Sequence, residues 1–90
     1  MDISALLAQM STEHASDVFL SHGAPPAIVV AGVPRFIGDK ALTPIDTHEI
    51  AYSIMSDRQQ KEFEATLEMS LGIAPAGLGR FRVSIYRQSP

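Results

Sequence analysis

Proline and glycine set the limits on what this chain can build. Pro25 and Pro26 follow His22-Gly23-Ala24, and two adjacent prolines cannot donate to a β ladder, so residues 22–26 read as a turn. Pro34 demotes the segment Val33 to Ile37 to an edge strand. Thr43-Pro44-Ile45-Asp46 carries a hydroxyl cap, a proline at the first helical position and an acid three residues after the cap, which together predict a helix start. Pro75, Gly77 and Gly79 mark residues 74–79 as a loop.

The segments between these breaks have readable periods. Ile3, Leu6, Leu7 and Met10 form one apolar stripe, predicting a helix of about residues 2–13 with Asp2 as its N-cap. Residues 16–21 are rich in strand formers, and 27–31 is an apolar run of strand length. Ala31-Gly32 reads as a tight turn joining that run to the edge strand in a hairpin. Beyond Pro44, Ile50, Ala51 and Ile54 supply a buried helical side, and Ser56-Asp57-Arg58-Gln59 repeats the capping pattern, so a second helix begins there with Phe63 and Leu67 on its apolar face. Met69, Leu71 and Ile73 alternate with Ser70 and Gly72 as a strand. In a last strand Phe81, Val83 and Ile85 face one way while Arg80, Arg82, Ser84 and Tyr86 face the other. The expected order is αβββααββ: an α+β domain with a mainly antiparallel sheet of about five strands packed by three helices.

The 90 residues, 46% hydrophobic, suffice for one modest core and are too few for two domains or a self-contained nucleotide-hydrolysing enzyme. No apolar run approaches the ~20 residues that cross a bilayer. The start Met1-Asp2-Ile3-Ser4 lacks the pattern of a secretory signal. The absence of cysteine removes disulfides and thiolate chemistry and suits a reducing cytoplasm. The expectation is a cytoplasmic single domain, residues 1–90. The chain stops at Ser89-Pro90 directly after a strand, an ending that suits a natural domain or an excised fragment equally.

Charge is the first functional clue. The net charge of −3 argues against nucleic-acid binding, which needs clustered cations. Residues 1–79 hold four cations and all ten acids, whereas residues 80–90 hold Arg80, Arg82 and Arg87 with no acid. Such a strand is either a solvated edge kept from pairing by its charge or a contact for an anion, because guanidinium offers a planar fork to phosphate oxygens. No phosphate-cradling G-x-x-x-x-G-K-[ST] loop is present, and Gly77-Leu78-Gly79 suits backbone torsion in a hairpin. His14, His22 and His48 have no metal-ligand spacing, and no nucleophile–base pair can be assigned, so catalytic residues within the chain and a metal site are both read as none. Glu64 and Glu68, four apart, read as one solvated helix face. The arginine strand is the chemical feature that stands out.

Several segments recur in the same order in one family. They are Met1-Asp2-Ile3, Ala15-Ser16-Asp17-Val18-Phe19-Leu20, Gly23-Ala24-Pro25-Pro26, Leu42-Thr43-Pro44, the run Met55-Ser56-Asp57 with Gln59 and Phe63-Glu64, and Gly79-Arg80-Phe81-Arg82-Val83-Ser84. On these the chain resembles, end to end, the N-terminal domain of the twitching-motility (PilT/PilU) retraction ATPases of type IV pili. Phe19, where many members carry a His, and Ile85-Tyr86-Arg87-Gln88 lean toward the PilU-like branch. The pattern departs in three places: Ala31-Gly32 replaces a common Asp-Gly turn, Ser84 stands where Asn is common, and a further family arginine lies beyond residue 90.

The resemblance implies a PAS-like domain that contributes to a hexameric ATPase ring, with the RecA-like ATPase domain absent from this chain. It implies packing on the ATPase domains of its own and a neighbouring subunit, at the pilus machinery of the inner-membrane platform. It implies a cytoplasmic protein peripheral to that membrane, with no transmembrane segment. ATP and Mg2+ belong to the intact protein, and neither is expected to bind this fragment tightly. Arg82 is implied to contact the ATP phosphates, with Arg80 and Arg87 as secondary candidates. Two competitors remain: a stand-alone PAS-like ligand-binding or scaffold module, and the same domain of a related assembly or secretion ATPase.

Overall fold

The computed structural model describes residues 3–87, so the expected N-cap Asp2 lies outside the described residues. The elements are α1 (Ile3–Thr12), β1 (Ala15–Ser21), β2 (Ala27–Val30), β3 (Val33–Phe36), α2 (Pro44–Ile54), α3 (Asp57–Thr66), β4 (Glu68–Ile73) and β5 (Phe81–Tyr86), in the expected order. Both expected capping boxes are closed. Thr43 and Asp46 satisfy each other at the start of α2, and Ser56 and Gln59 do so at the start of α3. Each box occupies backbone N–H groups that a helix cannot satisfy internally.

The five strands form one sheet in the order β3-β2-β1-β5-β4. Three pairings are antiparallel, but β1 and β5 run parallel, so the sheet is mixed. The parallel pair lies at its centre and needs the whole intervening chain as its connection. The β2–β3 turn has Ala31 at φ +51° and Gly32 at φ +80°. Two successive positive φ values match the twist of a two-residue hairpin.

The buried apolar residues of the sheet share one face. Val18, Leu20, Ile28, Phe81, Val83 and Ile85 form a single core with Leu6, Leu7 and Met10 of α1, Ile50 and Ala51 of α2, and Phe63 of α3. Phe63 has no exposed surface, and burying a side chain of that size stabilises by about 2–3 kcal/mol. The opposite sheet face follows from the register. Asp17, Phe19 and Ser21 of β1 stand beside Arg82, Ser84 and Tyr86 of β5, which stand beside Gly72, Ser70 and Glu68 of β4.

One local expectation is corrected. Glu64 and Glu68 do not share a helix face, because α3 stops at Thr66 and Leu67 turns the chain at φ +64° into β4. Ser84 lies on the expected face but is buried, its hydroxyl 3.2 Å from that of Ser70 across the β4–β5 ladder.

Candidate functional site

β5 brings the arginines to two different places. Alternation sends Phe81, Val83 and Ile85 into the core and Arg82 to the opposite face, where it is exposed. Its register neighbours are Asp17 on β1 and Gly72 on β4. Gly72 puts no side chain beside it, and Asp17 accepts a hydrogen bond from the Ser16 hydroxyl at 2.6 Å. Arg80 stands one residue before β5, after Gly79 in the left-handed region at φ +98°. Arg80 and Arg82 border an open depression of about 420 Å³, with Gly72, Ile73, Ala74 and Phe81. Among the described residues neither makes an ion pair, so both guanidinium groups present their donors to solvent. The structure therefore brings Arg80 and Arg82 together and leaves them uncommitted.

Arg87 is held elsewhere. Its guanidinium donates to Glu64 Oε2 at 2.8 Å, and its backbone N–H donates to the Leu67 carbonyl at 2.8 Å. The other Glu64 oxygen accepts from the Tyr52 hydroxyl at 3.0 Å and lies 3.9 Å from His48 Nδ1. The rings of His48 and Tyr52 stack at 4.1 Å. The Tyr52 hydrogen bond, helped by Arg87, holds the Glu64 carboxyl below its ordinary range against a partial desolvation penalty. The same bond pushes the Tyr52 phenol up, because its proton is shared with a carboxylate. Sequence reasoning read Glu64 as part of a solvated face. His48 and Tyr52 are neighbours four apart on α2, but no local pattern joins them to Glu64 or to Arg87, which meet them through the apposition of α2 with α3 and the pairing of β4 with β5.

The three histidines stay apart. His14 and His48 are exposed, and His22 has a buried Nδ1 with no hydrogen-bond partner. Among the described residues no three His, Asp or Glu side chains converge as metal ligands. None of the described helices is long and apolar enough to cross a membrane.

No family profile matches the chain. Individual relatives do. The type IV pilus retraction ATPase PilT of Pseudomonas aeruginosa is 42% identical over 99% of this chain and 26% of its own length. The type IV pilus ATPase PilU of the same organism is 33% identical over 98% of this chain and 23% of its own length. Overall identity is thus higher with the PilT relative, whereas the lean toward PilU rested on Phe19 and residues 85–88. A crystal structure of the pilus retraction motor PilT with bound ADP superimposes with a TM-score of 0.75 at 33% identity, covering 96% of this chain and 25% of that one. This chain spans about a quarter of the length of the relatives it matches. Sequence and fold agree over nearly the whole chain, and the chain belongs, as a domain-sized segment, to the PilT/PilU family of type IV pilus ATPases.

Proposed function

We propose that the chain is the PAS-like N-terminal domain of a hexameric pilus-retraction ATPase, one that packs against ATPase domains and delivers an arginine to ATP bound there. The observation that carries the assignment is the match to PilT across nearly the whole chain. The arginine role is supported by Arg82, an exposed guanidinium on a strand gripped by β1 and β4, with no carboxylate bound to it among the described residues. Phosphoryl transfer spreads negative charge over the transferring group, and a guanidinium delivered by a moving partner stabilises that charge. Arg80, on the rim of the same depression, is the second candidate. Arg87 would first have to release Glu64.

In this reading the rigid sheet carries Arg82 as the domain moves, so nucleotide state and domain orientation become coupled. ATP and its Mg2+ are held mainly by the ATPase domain. This chain supplies cationic donors to the phosphates rather than carboxylates to the metal. The working location is the cytoplasmic side of the inner-membrane platform that carries the pilus machinery.

The test is Arg82→Ala in the complete ATPase. Turnover is expected to fall at least tenfold, equivalent to roughly 1.4 kcal/mol of lost transition-state stabilisation, with the melting temperature unchanged. Turnover within twofold of the parent would overturn the arginine role. The competing reading, a ligand-holding module, needs an enclosed apolar site with convergent polar groups. The zero exposure of Met10, Val18, Leu20, Ile28, Phe63, Val83 and Ile85 supports a filled interior and weighs against it.

A further inference from the structure

Arg87 and the Glu64 hub are left unexplained by a phosphate-contacting strand. Arg87 follows β5 directly, and it is tied down twice. One tie is backbone to backbone, from the Arg87 N–H to the Leu67 carbonyl. The other is the charge-assisted bond to Glu64 Oε2. Leu67 adopts a left-handed conformation without being glycine, and its N–H is itself held by the Phe63 carbonyl at 2.7 Å. Glu64 cannot swing freely either, because the Tyr52 hydroxyl occupies its other oxygen and Tyr52 is stacked on His48. Three side chains, two from α2 and one from the segment after β5, thus converge on the carboxylate of Glu64 on α3.

We infer that Glu64 is a positioning residue: it fixes Arg87, and through it the point and direction from which the chain continues after β5, so that Arg87 serves as an anchor rather than as an anion ligand. Both ties pull Arg87 toward the α3–β4 turn, whereas Arg80 and Arg82 lie near the opposite end of β5. In the parent protein that anchor sets how the next domain is presented to Arg82. This consequence rests on the function proposed above, while the anchor itself does not.

The experiment uses this chain and reads the Arg87 backbone amide and its side-chain Nε–H by nitrogen-15 NMR. Glu64→Gln is expected to speed exchange of the Arg87 amide about three- to fivefold, as suits loss of a partly exposed ion pair. Tyr52→Phe, which keeps the ring, should give a smaller change of the same sign. Arg87→Lys should retain most of the protection that Arg87→Ala loses. Inorganic tripolyphosphate should shift the Nε–H signals of Arg80 and Arg82 and leave that of Arg87 in place.

Two results overturn the anchor: Arg87 signals indifferent to Glu64→Gln, or an Arg87 response to tripolyphosphate equal to that of Arg82. An Arg82 unmoved by tripolyphosphate, with Arg87 still dependent on Glu64, supports the anchor and counts against the phosphate role of Arg82.

Discussion

Thr43 and Asp46 close a two-way exchange at the mouth of α2. The Thr43 N–H donates to Asp46 Oδ2 at 2.9 Å, and the Asp46 N–H donates to Thr43 Oγ1 at 3.1 Å. The first of these bonds holds the Asp46 carboxyl below its ordinary value of 3.8, as the Tyr52 bond does for Glu64 against 4.5. A carboxyl whose folded pKa is depressed adds stability above its unfolded pKa, and that stability disappears as pH falls through the folded one. The chain should therefore lose stability on acidification below about pH 4.5. In the double variant Asp46→Asn, Glu64→Gln the slope of melting temperature against pH should be shallower between pH 5 and 3. An unchanged slope would remove both carboxylates from the acid response. At this scale the sequence was half legible. Thr43-Pro44-Ile45-Asp46 announces its own cap because all partners lie within one turn, whereas Glu64 finds Tyr52 at twelve positions and Arg87 at twenty-three.

The elements repeat that lesson with register in place of contacts. Both helix starts, the Pro25-Pro26 turn and the Ala74–Gly79 loop stand where cap chemistry and missing backbone donors put them. The parallel pairing of β1 with β5 has no such local cue, since it joins Asp17 to Arg82 and Val18 to Val83 across most of the chain. The candidate site divides the same way: alternation places Arg82 opposite the core, but only the assembled sheet sets Gly72 and Asp17 beside it. The β2–β3 hairpin shows a local signal that is weak yet obeyed. Ala31 is exposed and sits at φ +51°, a conformation that costs an L-residue with a Cβ roughly 1–2 kcal/mol. Asparagine tolerates it, so Ala31→Asn should stabilise the chain by about 0.5–1 kcal/mol in urea unfolding, with the denaturant slope unchanged. Destabilisation would mean that the turn does not hold this geometry in solution.

At the scale of the molecule, the asymmetry of the sheet matters most. One face is sealed by three helices, while the other presents Arg82 and the partly exposed Phe19 and Tyr86, flanked by Phe36 of β3. Two arginines on an open depression can meet a phosphate, but they cannot enclose a nucleotide, which ordinarily needs most of its surface covered. Titration calorimetry of this chain with ATP should give no saturable heat in the micromolar range, and hydrolysis should be absent. A micromolar dissociation constant would mean that the chain holds a nucleotide site of its own.

The slot between β1 and β4 is filled by β5, the last of the described strands in chain order. Until β5 docks, the β1–β2–β3 sheet and β4 have no pairing to each other, and a chain cut short before residue 81 leaves a three-stranded sheet and a lone strand with exposed margins. The sheet is therefore continuous only once β5 is inserted, and before that its open margins are the part of the molecule most exposed to capture by chaperones or by another copy.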